Sequence, residues 1–232
     1  MTTKLVLLPG MDGTGHLFAD FVRALPDTFE VKVVGYPGNL YLSYADLLPV
    51  VHAAVPPSEL FVLLAESFST PLAIQYAATK PANLKGIILC AGFSTSPVRG
   101  WKRLLATFLA PILFRLPLPD FANRHWLVGP GATSAILAAV RAAISRVKPK
   151  VLSARLRAIL ACDVRTALSQ VTLPILYIEA RQDRLVPVSC LEEILQINPR
   201  AVVVSIDGPH LILQREPQKA ADVVNLFIGQ FE

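Results

Sequence analysis

The sequence predicts an α/β protein built on a mostly parallel sheet of about six strands that is flanked by helices. Strand-like apolar runs alternate with helically spaced stretches through the first ninety residues. The same alternation resumes after Pro174. Strands separated by helices form parallel sheets that are covered on both faces. Between the two parts, residues from about Ser94 to Leu173 contain no strand-like run.

The first part supplies four predicted strands and three predicted helices. Short apolar runs predict buried strands, whereas apolar residues three and four positions apart predict helices. The predicted strands are KLVLLP, EVKVVGYP, LFVLLAE and LKGIILCAG. The predicted helices are HLFADFVRALP, SYADLLPVVHAAV despite its internal proline, and PLAIQYAATK, which has a proline in its first turn.

The middle of the chain predicts short amphipathic helices interrupted by prolines. Those helices are WKRLLATFLAPILFRLP, GATSAILAAVRAAISRV and KVLSARLRAILACDV. Afterwards the strands ILYIEA and AVVVSID alternate with the helices SCLEEILQIN and PQKAADVVNLFIGQF. We therefore predict one core domain made of residues 1–93 and 166–232, with a helical insertion at 94–165.

Size and composition favour a single compact domain in the cytoplasm. At 232 residues and 25.2 kDa the chain can bury a substantial core. Mean hydropathy is high at +0.50, but no apolar run reaches the roughly 18 residues of a membrane span. The N-terminus reaches Pro9 and Gly10 too soon for a signal peptide. The cysteines lack metal-ligand spacing and are predicted to be buried thiols: Cys90, Cys162 and Cys190.

Positive charge is concentrated in the predicted insertion. Residues 94–165 hold 12 Lys and Arg residues against two Asp and Glu residues, a formal charge of +10. The rest of the chain holds 10 basic and 15 acidic residues, a formal charge of −5. A basic segment on an acidic body requires a separate interpretation, which is given below.

The corner between the third predicted strand and the next helix carries a candidate nucleophile. The pattern Ala65-x-Ser67-x-Ser69 is a small-residue version of G-x-S-x-G. In that motif a serine is exposed on a tight, strained strand-to-helix turn, and its neighbours must be small because the two elements nearly touch. On its own this pattern is a weak signal.

Two further residues follow the ends of later strands and complete a possible triad. A serine hydroxyl needs a base and an orienting carboxylate to attack at neutral pH, and parallel sheets collect reactive groups at their carboxyl ends. Asp183 follows ILYIEA and His210 follows AVVVSID. The chain order Ser67, Asp183, His210 is that of one hydrolase architecture. The remaining histidines, at 16, 52 and 125, are interpreted as surface, packing or pocket-entrance residues.

Two backbone amides are candidates for stabilising an oxyanion. One belongs to Phe68, which follows the nucleophile, and the other to Met11 in the glycine-rich turn LLPGMDGTGHLF. Glycine lets that backbone bend close to a substrate. Nucleotide binding is disfavoured because the turn lacks both the Lys-Ser/Thr pair of a P-loop and G-x-G-x-x-G spacing.

Over nearly its whole length the sequence resembles the α/β-hydrolases. The resemblance rests on LLPGMDGTGHLF, LLAESFST, DVRTALSQVTLPILYIEARQDRLVP and GPHLILQREPQKAADVVNLFI. It implies Ser67 as nucleophile, His210 as base and Asp183 as support for the imidazole. Within the superfamily the chain is similar to small carboxylesterases with a helical lid, including the pimeloyl-carrier-protein methyl esterases. It departs from their usual pattern at Ala65 and Ser69, at Pro9-Gly10, and at Pro209 before the histidine.

The insertion is expected to lie over the strand ends as a lid. Trp101, Phe108 and Trp126 either line an apolar acyl pocket or pack the lid onto the body. Three interpretations of its basic residues stay open: a solvated face, a docking site for an acidic acyl-carrier protein or coenzyme A ester, and contact with anionic lipid. Arg155 and Arg157 are the residues expected to contact a carrier. Nucleic acid binding is disfavoured because no recognition motif accompanies the charge.

Taken together, the residues and the resemblance predict a serine hydrolase that cleaves carboxylic esters with an apolar acyl group through an acyl-enzyme. No metal or organic cofactor is expected. Thioester hydrolysis or acyl transfer on acyl-carrier protein or coenzyme A esters is the nearest alternative, because both use the same intermediate. A binding module that keeps the fold without turnover is the alternative from another class.

Overall fold

The computed structural model describes residues 3–114 and 119–231, and it contains one six-stranded parallel sheet. The spatial order is β2-β1-β3-β4-β5-β6, and every neighbouring pair is parallel. This sheet confirms the predicted fold class. The strands are β1 (Thr3–Leu8), β2 (Phe29–Val33), β3 (Phe61–Glu66), β4 (Leu84–Cys90), β5 (Ile175–Ala180) and β6 (Val202–Ile206).

Helices fill the connections between the strands. The described helices are α1 (Ala19–Ala24), α2 (Tyr44–Ala54), α3 (Thr70–Ala78), α4 (Gly100–Leu113), α5 (Asp120–Asn123), α6 (Ser134–Ser145), α7 (Pro149–Leu160), α8 (Arg165–Gln170), α9 (Val188–Ile197), α10 (Ile212–Arg215) and α11 (Pro217–Ile228). Every helix predicted from the sequence has a counterpart in this set. The short helices α5, α8 and α10 were not predicted, because four to six residues are too few to show helical periodicity.

The strand β3 lies in the interior of the sheet and is buried on both of its faces. All six of its residues are buried. Alternate side chains enter different cores: Phe61 and Leu63 join the cluster on one face, and Val62 and Leu64 join the cluster on the other. A parallel strand covered on both faces favours apolar residues at consecutive positions, so five apolar residues precede Glu66 and the corner at Ser67.

The helix α2 forms despite its internal proline because its start is well capped. The Ser43 hydroxyl accepts a hydrogen bond from the Asp46 amide at 3.3 Å, and the Asp46 carboxylate accepts one from the Ser43 amide at 3.0 Å. This capping box satisfies two amides that the first turn leaves without partners. Leu47 and Val51 then bury one face of the helix, with Pro49 between them.

The helices α4 to α7 form an excursion that leaves and re-enters the sheet at one place. The Val164 amide donates to the Ser94 carbonyl at 2.8 Å, and the Ser96 amide donates to the Cys162 carbonyl at 3.1 Å. The two ends of the excursion therefore lie side by side. Residues 115–117 of the first predicted insertion helix lie outside the described residues.

Within residues 3–114 and 119–231, no helix combines the length and the apolar character needed to cross a membrane.

Candidate active site

Ser67 lies on a strained corner between β3 and α3. Its φ angle is +48°, in the left-handed region that side chains other than glycine rarely adopt. A 3-10 turn over residues 67–69 follows, and α3 begins at Thr70. The Thr70 hydroxyl donates to the Ser67 carbonyl at 2.8 Å, which helps hold the strained turn. Strain of this kind projects a serine hydroxyl away from the sheet.

His210 connects Ser67 to Asp183 by two hydrogen bonds. The His210 Nε2 atom lies 2.9 Å from Ser67 Oγ, and its Nδ1 atom lies 2.7 Å from Asp183 Oδ2. Both distances are normal for hydrogen bonds. Pro209, one of the departures noted in the sequence, does not keep the imidazole from either partner. The structure thus brings together three side chains that are up to 143 positions apart.

Asp183 is held in place by its own turn. Its Oδ1 atom accepts hydrogen bonds from the amides of Leu185 at 2.7 Å and Val186 at 3.0 Å. Those bonds leave Oδ2 directed at His210. Because one oxygen is occupied by the backbone, the carboxylate is fixed in the orientation that supports the Nδ1–H tautomer of the imidazole.

Burial and charge act in opposite directions on His210. Burial lowers the pKa of the imidazole by penalising its charged form, whereas the charge of Asp183 and the hydrogen bond to it raise that pKa. Burial is the largest single effect, but the contributions that raise the pKa together exceed it, so the pKa of His210 lies above its ordinary value of 6.5. Asp183 therefore stabilises the imidazolium that would form when the serine proton is transferred.

The turn after β1 presents a free backbone amide. Gly13 and Gly15 adopt φ angles of +68° and +73°, so the chain turns sharply between β1 and α1. Within the described residues, the Met11 amide has no hydrogen-bond partner. An unpartnered N–H in a glycine-rich turn suits a developing negative charge. Met11 and Phe68 keep their role as predicted oxyanion donors.

Ser69 ties the nucleophile corner to the Met11 turn. Its hydroxyl donates to the Pro9 carbonyl at 2.5 Å and accepts from the Tyr36 hydroxyl at 2.8 Å. Sequence reasoning treated Ser69 only as a tolerable replacement for glycine. Its hydroxyl in fact joins the two backbone segments that carry the predicted oxyanion donors.

Arg155 also holds the turn that contains Met11. Only 1% of the side chain is exposed. From α7, one guanidinium nitrogen donates to the carbonyls of Met11 at 3.0 Å and Asp12 at 2.8 Å, and the other donates to Pro37 at 3.0 Å. The expectation that Arg155 contacts a carrier protein is wrong, because a buried guanidinium cannot meet a partner. Arg157 is exposed and keeps that predicted role.

A buried carboxyl precedes Ser67 in the chain. Glu66 is 1% exposed, and its Oε1 atom has no hydrogen-bond partner among the described residues. Burial raises the pKa of Glu66 from 4.5 to about 7, and His210 opposes part of that rise. Glu66 was not singled out in the sequence, because a carboxylate at the end of an apolar strand is usually solvated.

The three aromatics expected in an acyl pocket lie at the surface. Trp101 and Phe108 expose 71% and 72% of their area, and Trp126 exposes 46%. None of them lines the cavity beside Asp183 or the cavity beside His16. Their assignment to substrate binding stays a prediction, and their exposure calls for another explanation.

The other histidines make contacts of a different kind. The His52 ring packs edge-on against Tyr76, with centroids 4.7 Å apart. His125 shares a hydrogen bond of 2.6 Å with Arg184, and His16 contacts an arginine at the end of α6. In the part of the chain that the structure describes, no group of His, Cys, Asp and Glu residues is arranged to hold a metal ion.

Comparisons with known proteins agree with this arrangement. The model of the family described as "Serine aminopeptidase, S33" matches residues 34–208. The pimeloyl-[acyl-carrier protein] methyl ester esterase of Aliivibrio salmonicida is 26% identical over 215 residues, which cover 87% of this chain and 82% of that relative. The protein of the same name from Xanthomonas oryzae pv. oryzae is 28% identical over 222 residues, which cover 88% of this chain and 86% of the relative.

Solved structures share the fold at low sequence identity. The enol-lactonase from Burkholderia xenovorans LB400 has a TM-score of 0.83 at 17% identity, and the match covers 99% of this chain and 92% of that one. A bromoperoxidase from Bacillus anthracis has a TM-score of 0.88 at 15% identity with the same two coverages. The family match spans more than half of the sequence, and this chain belongs to the Hydrolase_4 family of α/β-hydrolases.

Proposed function

We propose that this chain is a serine hydrolase that cleaves carboxylic esters with an apolar acyl group, using Ser67, His210 and Asp183. The observation that carries the proposal is the continuous hydrogen-bonded chain from Ser67 Oγ through His210 to Asp183, with the serine on a strained strand-to-helix corner. This is the set of contacts that makes a hydroxyl nucleophilic.

In the first step His210 Nε2 accepts the Ser67 proton as Oγ attacks the ester carbonyl carbon. The carbonyl oxygen becomes an oxyanion, and the amides of Met11 and Phe68 donate hydrogen bonds to it. His210 then gives the proton to the alkoxide as the ester bond breaks, which releases the alcohol and leaves an acyl-serine. Water repeats the sequence with His210 as base and releases the acid.

The names of the two curated relatives suggest an acyl ester carried on acyl-carrier protein as the substrate class. The basic insertion supports this choice, because exposed cations attract an acidic carrier towards the site. Arg157 is an exposed cation of α7 that is expected to take part. A solvated face for those cations is the simpler alternative, and rates on carrier-bound and free substrates distinguish the two.

The test is a set of initial rates on three kinds of substrate. These are p-nitrophenyl esters of graded acyl length, the methyl ester of an acyl-carrier protein, and acyl-coenzyme A thioesters. We expect ester turnover that falls at least about 10³-fold in Ser67→Ala. Faster turnover of thioesters than of oxygen esters would assign the chain to thioester chemistry, and turnover that survives in Ser67→Ala would place the nucleophile elsewhere.

Carrier docking has its own control. Arg157→Gln is expected to lower kcat/KM for the carrier-bound ester by about five- to tenfold and to leave the rate on a short p-nitrophenyl ester unchanged. Arg200→Gln removes an exposed cation outside the insertion and serves as the matched control. Equal effects of Arg157→Gln on both substrates would contradict docking without affecting the proposed hydrolysis.

A further inference from the structure

The helix α4 presents large apolar side chains to solvent on one face. We call this surface the α4 face. Its two aromatic members expose more than two thirds of their area, far more than apolar side chains in a packed helix. The α4 face consists of Trp101, Leu104, Leu105, Phe108, Leu109 and Leu113.

Helical geometry makes these residues one continuous surface. Positions spaced by three and four residues lie on the same side of a helix, and the members of the α4 face follow that spacing. The opposite side carries Ala106 and Ala110, of which Ala110 is buried. The helix packs against α7. Small residues therefore face the protein and large ones face outward, the reverse of an ordinary surface helix.

The charge around this face is one-sided. Residues 99–114 include Arg99, Lys102 and Arg103 and contain no Asp or Glu. Arg99 is paired with Glu193 at 3.2 Å. Lys102 and Arg103 are exposed, and neither has an ion-pair partner among the described residues.

Lys102 lies three and seven positions before Leu105 and Leu109, at the edge of the α4 face. Arg103 lies three and seven positions before Ala106 and Ala110, on the other side of the helix. The apolar surface is thus bordered by Lys102, which no residue of its own segment neutralises.

We propose that the α4 face binds the surface of an anionic lipid bilayer. Its Trp and Phe rings and leucines enter the boundary between headgroups and acyl chains, while Lys102, at the edge of the face, meets the lipid phosphates. A 14-residue helix is about 21 Å long, shorter than the roughly 30 Å hydrocarbon core. The helix therefore lies along the membrane plane.

Other occupants satisfy only part of this surface. A second copy of the chain would cover the apolar residues but would leave Lys102 of each copy without an acidic partner from the same segment, because residues 99–114 contain no Asp or Glu. An acidic protein would neutralise the cations but would also have to offer an apolar groove for six large side chains. An anionic bilayer supplies both chemistries at once. The inference is independent of the proposed hydrolysis, because binding requires no turnover.

The tryptophans of the chain provide a direct test. There are two, Trp101 on the α4 face and Trp126 after α5, so Trp126→Phe leaves Trp101 as a single reporter. Vesicles of phosphatidylcholine alone and of phosphatidylcholine with 30% phosphatidylglycerol are added at low and high salt. We expect the Trp101 emission to shift to the blue, and the protein to co-sediment, with the anionic vesicles and far less with the neutral ones. Salt should weaken the binding.

Paired substitutions separate the two contributions. Lys102→Gln with Arg103→Gln should lower vesicle affinity at least about fivefold, mainly through Lys102, and Leu104→Gln with Leu109→Gln by at least about tenfold. The matched controls are Lys32→Gln with Arg200→Gln for charge, and Leu40→Gln with Leu226→Gln for apolar surface, because all four are exposed outside the insertion. Circular dichroism checks that each variant is folded.

Three results would overturn the proposal. The first is an emission spectrum and sedimentation that anionic vesicles leave unchanged. The second is binding that the control pairs reduce as much as the α4 pairs do. The third is a dimer, detected by sedimentation velocity without lipid, that Leu104→Gln with Leu109→Gln abolishes, since it would assign the α4 face to a second copy of the chain.

Discussion

The Arg155 guanidinium donates a 3.0 Å hydrogen bond to the main-chain carbonyl of Met11. The amide of Met11 is a proposed oxyanion donor, so a helix of the insertion holds the backbone that the chemistry needs. The guanidinium also lies 5.9 Å from the centre of the Phe68 ring, which belongs to the other proposed donor. Arg155 is therefore a positioning residue, and the insertion and the site are linked through it.

Replacing Arg155 with Met should destabilise the protein by about 3 kcal/mol, because three carbonyls lose a charged donor inside the fold. It should also lower kcat about 10- to 100-fold as the Met11 turn relaxes. Arg155→Lys should recover little, since a single ammonium cannot fork to three acceptors. Urea unfolding and steady-state ester kinetics provide the two measurements.

The control for this prediction lies two residues further along α7. Arg157 is exposed, so Arg157→Met should change the free energy of unfolding by no more than about 0.5 kcal/mol. If Arg155→Met were as stable and as active as Arg157→Met, the hydrogen bonds between α7 and the Met11 turn would contribute nothing measurable to stability or to catalysis.

The pH dependence of ester hydrolysis should report His210. The imidazole must be neutral to accept the serine proton, and its pKa lies above 6.5. The value of kcat/KM should therefore rise with pH and reach half of its maximum above pH 6.5. In Asp183→Asn the carboxylate that raises this pKa is absent, so the midpoint should fall and the plateau should drop about 10⁴-fold. Identical midpoints in the two proteins would exclude His210 as the base or Asp183 as its partner.

Some parts of this site can be predicted from the sequence, and others cannot. Ser67, Asp183 and His210 were located because each follows a strand of a parallel sheet, and strand ends meet at one edge. The hydroxyl of Ser69 has no sequence signal beyond its small size. The sequence alone does not give the roles of Arg155 and Trp101. Helical spacing shows which residues share one side of a helix, but it does not show which side faces the protein. Only the packing of α4 and α7 decides that.

Glu66 should make stability depend on pH. The native carboxyl has a pKa of about 7 against an ordinary 4.5, so the folded state binds its proton more tightly than the unfolded chain. Stability from this group is complete below about pH 4.5, falls as pH rises towards 7, and then stays constant, a total loss of about 3 kcal/mol. Glu66→Gln cannot ionise and should remove that loss.

Free energies of unfolding at pH 5 and pH 8 test this prediction. The gain in stability from Glu66→Gln should be below about 1 kcal/mol at pH 5 and should reach about 3 kcal/mol at pH 8. Glu192→Gln, at an exposed position on α9, is the matched control and should show no such difference. A pH-independent effect of Glu66→Gln would mean that the carboxyl titrates normally in the folded protein.

The central proposal is that one hydroxyl, activated by one imidazole, attacks the ester. The most direct measurement is mass spectrometry of the intact protein and its peptides after reaction with a fluorophosphonate. We expect a single adduct on Ser67, formed at a rate that His210→Ala lowers strongly, and no adduct in folded Ser67→Ala. An adduct on another residue, or labelling that persists in Ser67→Ala, would contradict it.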